Sequence, residues 1–176
     1  MKKNKILILT LLIQLFFINN VQAACDLKSF RFGMSHEVLM SHLKLDPEFV
    51  EPKEEGAPMQ MVFAPGEFVC KNEKIFEYVP VIFLLLYDKL VEIQIMYVSE
   101  SPALIDWAES IYGIKQNKPN TFYDNLPNAQ WLWEKSNESI SYSIGANANE
   151  VIESVIIQSL KHQKYFDRFA KFEENQ

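Results

Sequence analysis

The stretch "VIFLLLYDKLVEIQIMYV", residues 81–98, carries the strongest indication of the fold. Two runs rich in branched and aromatic residues flank the polar pair Asp88–Lys89. In the second run Leu, Glu, Gln and Met alternate with Val, Ile, Ile and Tyr, which is the period of a strand with one buried face. The first run is apolar on both faces, which is typical of a strand inside a sheet. We therefore predict a β-hairpin whose first strand lies centrally in the sheet.

Further elements are predicted on both sides of this hairpin. A helix is expected within 32–47, where Ser35 can cap its start and Asp46–Pro47 ends it, and a second helix over 101–113. The other predicted elements are strands at 59–64, 129–135, 139–145 and 151–159 and a last helix at 160–174. A helix followed by strands thus occurs twice along the chain. We predict an α+β fold, a mainly antiparallel sheet with helices on one face, in which two helix-plus-strands pseudo-repeats are possible.

The N-terminus has the pattern of a secretory leader. Three lysines precede the apolar run 6–18, and small residues follow it up to Ala23. The run is shorter than the ~20 residues that a membrane-spanning helix needs. We therefore predict a signal peptide at 1–23 and one α+β domain at 24–176, with no stable membrane span.

The two cysteines of the chain, Cys25 and Cys70, leave two alternatives. Cys25 is either the lipid-carrying first residue of a lipoprotein or half of a disulfide. Gln22 stands where a lipoprotein signal has an aliphatic residue, and a single pair of cysteines in an exported chain is most simply a disulfide. We predict a Cys25–Cys70 disulfide and a periplasmic or secreted protein, with an outer-membrane lipoprotein as the less favoured alternative.

Charge and motifs restrict the function. The formal net charge is −6, and it becomes −9 when the three lysines of the leader are removed. An acidic chain repels phosphate backbones, so we expect no nucleic-acid partner and favour a basic protein partner instead. The sequence lacks the G-x-S-x-G, H-E-x-x-H and P-loop motifs. We therefore expect a binding protein without catalysis, cofactor or metal.

The stretch "FGMSHEVLMSHL", residues 32–43, resembles the opening of small envelope proteins of the BamE type. The matching residues are Gly33, Met34, Ser35, Val38 and Leu43. The doubled order of helix and strands also looks like the tandem arrangement of β-lactamase-inhibitor-like domains. These resemblances imply a helix followed by an antiparallel sheet, in a non-catalytic envelope protein that binds or assembles with other proteins.

Three regions are candidates for contact with a partner. They are an acidic loop with Glu51, Glu54 and Glu55, the strand residues Trp131 and Trp133, and the stripe of Tyr165, Phe169 and Phe172 on the last helix. The two tryptophans, with Tyr142 on the next strand, form either an exposed platform or a row in the core, and the core is favoured. The last helix either covers the sheet or docks on another protein.

Two other functions remain as alternatives. A small envelope hydrolase would use one of the three histidines, His36, His42 or His162, to assist a nucleophile. A copper-handling protein would use the first two of these histidines with Met34, Met40, Met59 and Met61. Neighbouring carboxylates such as Glu150 and Glu153 are interpreted as a solvated face rather than as a catalytic pair.

Overall fold

The computed structural model describes residues 25, 27–45, 56–71, 73–100, 103–112, 128–135, 137–146 and 150–175. The predicted leader and the acidic-loop residues Glu51, Glu54 and Glu55 lie outside these ranges.

The described helices are α1 (His36–Leu43), α2 (Gly66–Val69), α3 (Leu104–Tyr112) and α4 (Gln163–Glu173). The described strands are β1 (Met59–Pro65), β2 (Pro80–Leu86), β3 (Lys89–Ser99), β4 (Asn128–Lys135), β5 (Glu138–Ala146) and β6 (Val151–Ser159). The predicted α+β class is confirmed.

The six strands form one antiparallel sheet in the order β1-β2-β3-β6-β5-β4. Each half of the chain contributes a three-stranded meander, and the two meanders join where Ile95 of β3 pairs with Val155 of β6. One long helix precedes each meander, α1 before β1 and α3 before β4. The repeated order of helix and strands predicted from the sequence is therefore present, and β1 and β4 are the edges of the sheet.

The main core lies on one face of this sheet, where alternate strand residues are buried. Its strand members include Phe83 of β2, Ile93 of β3, Ile157 of β6 and Tyr142 of β5. α1 adds Leu39 and Leu43 to this core, and α3 adds Leu104, Trp107 and Ala108. The two helices thus cover the face on which the strand pattern places apolar residues.

The predicted hairpin is present, with its turn one residue earlier than expected. Leu86 pairs with Lys89, so the turn consists of Tyr87 and Asp88. Both turn residues have positive φ, 50° and 63°, which is the backbone of the type I′ turns that suit the twist of a hairpin. β2 lies between β1 and β3, as its apolar sequence predicts.

The hairpin turn also holds the start of α1. The backbone N–H of Val38 donates to the hydroxyl of Ser35 (3.4 Å), and that of His36 donates to the carboxylate of Asp88 (3.2 Å). The hydrogen bond to the Ser35 hydroxyl confirms the predicted N-cap. The helix ends when Lys44 adopts a left-handed conformation (φ 50°), two residues before the predicted end at Asp46–Pro47, which lies outside the described residues.

The start of α3 is capped from the sheet. Glu153 of β6 is fully buried, and its carboxylate accepts the backbone N–H groups of Ala103 (2.7 Å) and Ile105 (3.3 Å). The phenol of Tyr142 on β5 donates to the same carboxylate (2.8 Å). The expectation that Glu153 belongs to a solvated face is wrong. Inside the protein its carboxylate accepts hydrogen bonds from the start of α3 and from the phenol of Tyr142.

The disulfide between Cys25 and Cys70 is present, with the two Cα atoms 5.1 Å apart. The bond joins the residues before α1 to the end of α2, and the backbone N–H of Cys25 also donates to the carboxylate of Glu73 (3.2 Å). Among the described helices, none is long and apolar enough to span a bilayer.

Candidate functional site

An apolar groove runs beside the edge strand β1. It has a volume of about 1,090 Å³. It lies between the residues that follow α1, the second half of β1, α2 and the start of β2. The lining residues are Lys44, Leu45, Phe63, Ala64, Pro65, Glu67, Phe68, Tyr78, Val79 and Pro80. We call this feature the β1 groove.

Three aromatic side chains of the β1 groove are exposed to solvent. The exposed fraction is 50% for Phe63, 46% for Phe68 and 86% for Tyr78. Single exposed apolar residues are common on proteins, but several in one concave surface are typical of a binding site. Only two charged residues, Lys44 and Glu67, line the groove among the residues described. The β1 groove therefore offers aromatic surface with little charge.

Close backbone packing holds the walls of the groove together. The N–H of Gly66, the first residue of α2, donates to the carbonyl of Val79 at 2.7 Å. A Cβ atom on Gly66 would lie only 2.5 Å from the carbonyl oxygen of Phe76 and 2.7 Å from that of Val79. Glycine is thus required at this position. The close packing at Gly66 brings α2, which carries Phe68, near the segment that carries Tyr78. Tyr78 has φ 65°, a left-handed conformation that is uncommon for a tyrosine.

The backbone of β1 presents hydrogen-bonding groups to the edge of the sheet. The N–H of Tyr87 donates to the carbonyl of Pro58 (2.8 Å), and the register of the two strands continues from this pair. In an antiparallel pair, alternate residues bond to the neighbouring strand. Gln60, Val62 and Ala64 therefore bond β2, while the N–H groups of Met59, Met61 and Phe63 point away from it. No strand of the described part of the chain pairs with this edge.

The two tryptophans predicted as contact residues lie at the other edge of the sheet. Trp131 and Trp133 of β4 are half-buried and pack against the core, and Trp131 pairs with Tyr142 at a ring distance of 5.5 Å. The structure therefore brings this predicted row together on the core side. Leu132, which points to the opposite face, is 61% exposed.

The aromatic stripe of α4 lies against the hairpin rather than in the core. Tyr165 has its ring 6.4 Å from that of Tyr87, and the guanidinium of Arg168 lies 3.8 Å from the centre of the Tyr87 ring. Tyr165 and Phe169 are half-buried, while Phe172 is 40% exposed. No residue of α4 is fully buried. The helix thus contributes contacts with β2 and its turn but nothing to the main core.

His162 is the histidine with the most specific surroundings. Its Nδ1 lies 2.7 Å from the hydroxyl oxygen of Ser159, which is 3% exposed. Burial lowers the pKa of His162, and the nearby Lys164, Lys161 and Lys89 lower it further. A nucleophile needs access to its substrate, and Ser159 has little. A histidine-assisted hydrolase would use this contact between Ser159 and His162. The hydrolase hypothesis stays a prediction.

The methionines and histidines proposed for copper are divided between core and surface. Met34 and Met40 pack against the core, whereas Met59 and Met61 on β1 are exposed. His42 Nδ1 lies 2.9 Å from the carbonyl oxygen of Val38 in its own helix. Within the described ranges, no group of three or more histidine, cysteine, aspartate or glutamate side chains is placed to hold a metal ion.

Comparisons with protein-family models, curated proteins and solved structures found no match. The resemblance to BamE-type proteins and to β-lactamase-inhibitor-like domains therefore stays a prediction. The β1 groove was not predicted from the sequence, although one signal for it is visible. Met59, Met61 and Phe63 recur at every second position, which places an apolar stripe on one face of what the structure shows to be an edge strand.

Proposed function

We propose that this chain is an exported, non-catalytic binding module that holds an extended segment of a partner protein in the β1 groove. The observation that carries this proposal is the position of exposed aromatic side chains directly beside an edge strand. Phe63 belongs to that strand, and Phe68 and Tyr78 line the same groove.

An extended segment fits because it can bind both to the backbone of β1 and to the aromatic rings of the groove. Its backbone would bond to the outward N–H and C=O groups of Met59, Met61 and Phe63 and so add a seventh strand to the six-stranded sheet. Its alternate side chains would lie against the aromatic rings of the groove. Exposed edge strands are otherwise a liability that proteins cover or shorten, so an edge with which no described strand pairs, beside an apolar groove, supports a binding role.

Charge indicates what kind of segment binds. The chain without its predicted leader carries a net charge of −9, so its field attracts basic proteins and increases their association rate. The β1 groove itself is nearly neutral, with Lys44 and Glu67 among its lining residues. We therefore expect an apolar or aromatic segment within a partner of positive net charge.

Export is part of the same proposal. The predicted leader at 1–23 would send the chain through the membrane, and the Cys25–Cys70 disulfide is typical of proteins that fold in an oxidising compartment. These two features together support a periplasmic or secreted location, where a small disulfide-bonded module meets other exported proteins.

The test is selection of peptides against the oxidised protein. A displayed library of random peptides of about twelve residues supplies extended segments, and selected peptides are then measured by calorimetry. Phe68→Ser should weaken their binding about tenfold, since aromatic anchors dominate such interfaces. Phe172→Ser, which removes a similarly exposed ring from α4, is the matched control and should leave the affinity unchanged.

Equal affinity for the wild type and Phe68→Ser would contradict the proposal, as would failure to select any peptide that binds outside the display format. Phe68 is half exposed, so the variant is expected to fold, and its thermal midpoint should be within a few degrees of the wild type.

A further inference from the structure

A second cavity, separate from the β1 groove, opens at one end of the sheet. It has a volume of about 270 Å³ and shares no lining residue with the groove. It lies where Ile93 of β3 pairs with Ile157 of β6. Residues of the helical turn Leu27–Ser29 and the residues just before α4 also line it. The lining residues are Leu27, Lys28, Phe30, Arg31, Phe32, Ile93, Tyr112, Asn137, Glu138, Ile157, Ser159, Lys161 and His162.

The floor and the rim of this cavity differ in chemistry. The floor is apolar and belongs to the core, with Phe30, Ile93 and Ile157 each less than one-tenth exposed. The rim carries the exposed cations Arg31 and Lys161, together with Lys28, against one carboxylate, Glu138. The lining therefore has a formal charge of +2 with His162 neutral, in a chain whose net charge is −6.

Other features of the lining agree with a positive local field. Burial lowers the pKa of His162, which lines the cavity, and the nearby Lys164, Lys161 and Lys89 lower it further. The side chain of Asn137 adds a group that can donate hydrogen bonds at the same rim. Cations grouped at one cavity raise the local positive potential, and that potential attracts an anion.

We infer that this cavity binds a small organic anion, with its apolar body on the floor of Phe30, Ile93 and Ile157 and its carboxylate between Arg31 and Lys161. The guanidinium of Arg31 has the planar, two-pronged donor geometry that matches a carboxylate, and Lys161 supplies a second charge. The volume lies just below the range of about 300–1,000 Å³ that holds drug-sized ligands, so the ligand is small.

Octanoate is a suitable probe because it combines one carboxylate with a short apolar chain. We expect the oxidised protein to bind octanoate with a dissociation constant of about 1 mM or lower, as measured by NMR titration. The methyl signals of Ile93 and Ile157 should shift, because these side chains form the floor. Octanol, which has the same chain without the charge, should bind at least about tenfold more weakly.

A double variant tests the role of the cations. Arg31→Gln/Lys161→Gln should weaken octanoate binding about tenfold. Lys71→Gln/Lys74→Gln is the matched control, since it changes the net charge equally at exposed positions that do not line the cavity, and it should bind like the wild type. All four side chains are exposed, so neither variant should change the thermal midpoint appreciably.

Any one of the following results would overturn the inference. They are no octanoate binding at about ten times the expected dissociation constant, equal binding of octanol, equal loss of affinity in both double variants, and shifts at the β1 groove instead of at Ile93 and Ile157. Displacement of octanoate by an equal concentration of inorganic phosphate would also overturn it, because the apolar floor would then contribute nothing to recognition.

Discussion

The backbone N–H of Gly66 donates to the carbonyl of Val79 at 2.7 Å, and no space is left there for a side chain on Gly66. This contact fixes the one-turn helix α2 against the segment that leads into β2. Because Phe68 lies on α2 and Tyr78 precedes Val79, the same contact determines the distance between two walls of the β1 groove. The groove is thus built from close backbone packing.

Replacing this glycine tests that packing. Gly66→Ala should lower the free energy of unfolding by about 1–3 kcal/mol, because its Cβ would push against two carbonyl oxygens of the backbone. Urea denaturation measures the change. Glu67→Ala, at the next and exposed position of α2, is the control and should change the value by no more than about 0.5 kcal/mol. An equal effect of both variants would show that the close approach is not what constrains Gly66.

The buried carboxylate of Glu153 makes a second prediction. Glu153→Gln should destabilise the protein by about 1–3 kcal/mol, because an amide brings its own N–H groups towards the donors of Ala103 and Ile105 and loses the charge that favours a helix N-terminus. Thermal and chemical denaturation measure this loss.

Tyr142→Phe is the matched comparison, since it removes one of the donors and leaves the carboxylate in place. It should cost about 1 kcal/mol, less than Glu153→Gln. The two changes should not be additive when combined, because both act on the same buried carboxylate. Additive effects would contradict the account of one connected network.

Stability should fall in mildly acidic solution because of His162. Burial and then three lysines lower the pKa of His162 in the folded protein, so the unfolded chain binds its proton first as the pH falls below about 6.5. Stability attributable to His162 is therefore fully present above that pH and is lost as the pH falls through the folded-state pKa.

The measurement is the free energy of unfolding as a function of pH. His162→Gln should reduce the slope of this curve below about pH 6.5, because the variant has no imidazole at position 162 to take up a proton. A slope that is identical in the wild type and His162→Gln would disprove this assignment.

The disulfide should contribute strongly to stability. Cys25 and Cys70 are 45 residues apart, and closing a loop of that size restricts the unfolded chain by about 4 kcal/mol. Reduction of the native protein, or the double change Cys25→Ala/Cys70→Ala, should lower the free energy of unfolding by a comparable amount. A reductant should have no effect on the double variant, which separates loss of the bond from other effects of the reagent.

Much of the fold follows from local patterns in the sequence. The alternation in 90–97 and the strong β-propensity of 151–159 predicted strands that the structure has at nearly the same bounds, β3 and β6. Ser35 predicted the start of α1 for the reason that the structure shows, a side-chain hydroxyl that accepts an N–H of the first turn. Each of these signals depends only on neighbours along the chain.

The features that were missed depend on partners distant in sequence. Glu153 is buried because the N-terminus of α3, about fifty residues earlier, needs an acceptor, and Glu92 is buried because the amides of Gln94 and Gln158 donate to it. The β1 groove likewise joins residues from Lys44 to Pro80. No local pattern specifies such contacts, whereas the tryptophans of β4, at the opposite edge of the sheet, stand out in the sequence by their spacing alone.

Amide hydrogen exchange of β1 in the complex with a selected peptide tests the proposed function most directly. Met59, Met61 and Phe63 direct their N–H groups to the open edge, whereas Gln60, Val62 and Ala64 already bond β2. The account predicts that the peptide slows exchange at the first three amides and leaves the other three as they were. Unchanged exchange at Met59, Met61 and Phe63, in a sample saturated with peptide, would contradict it.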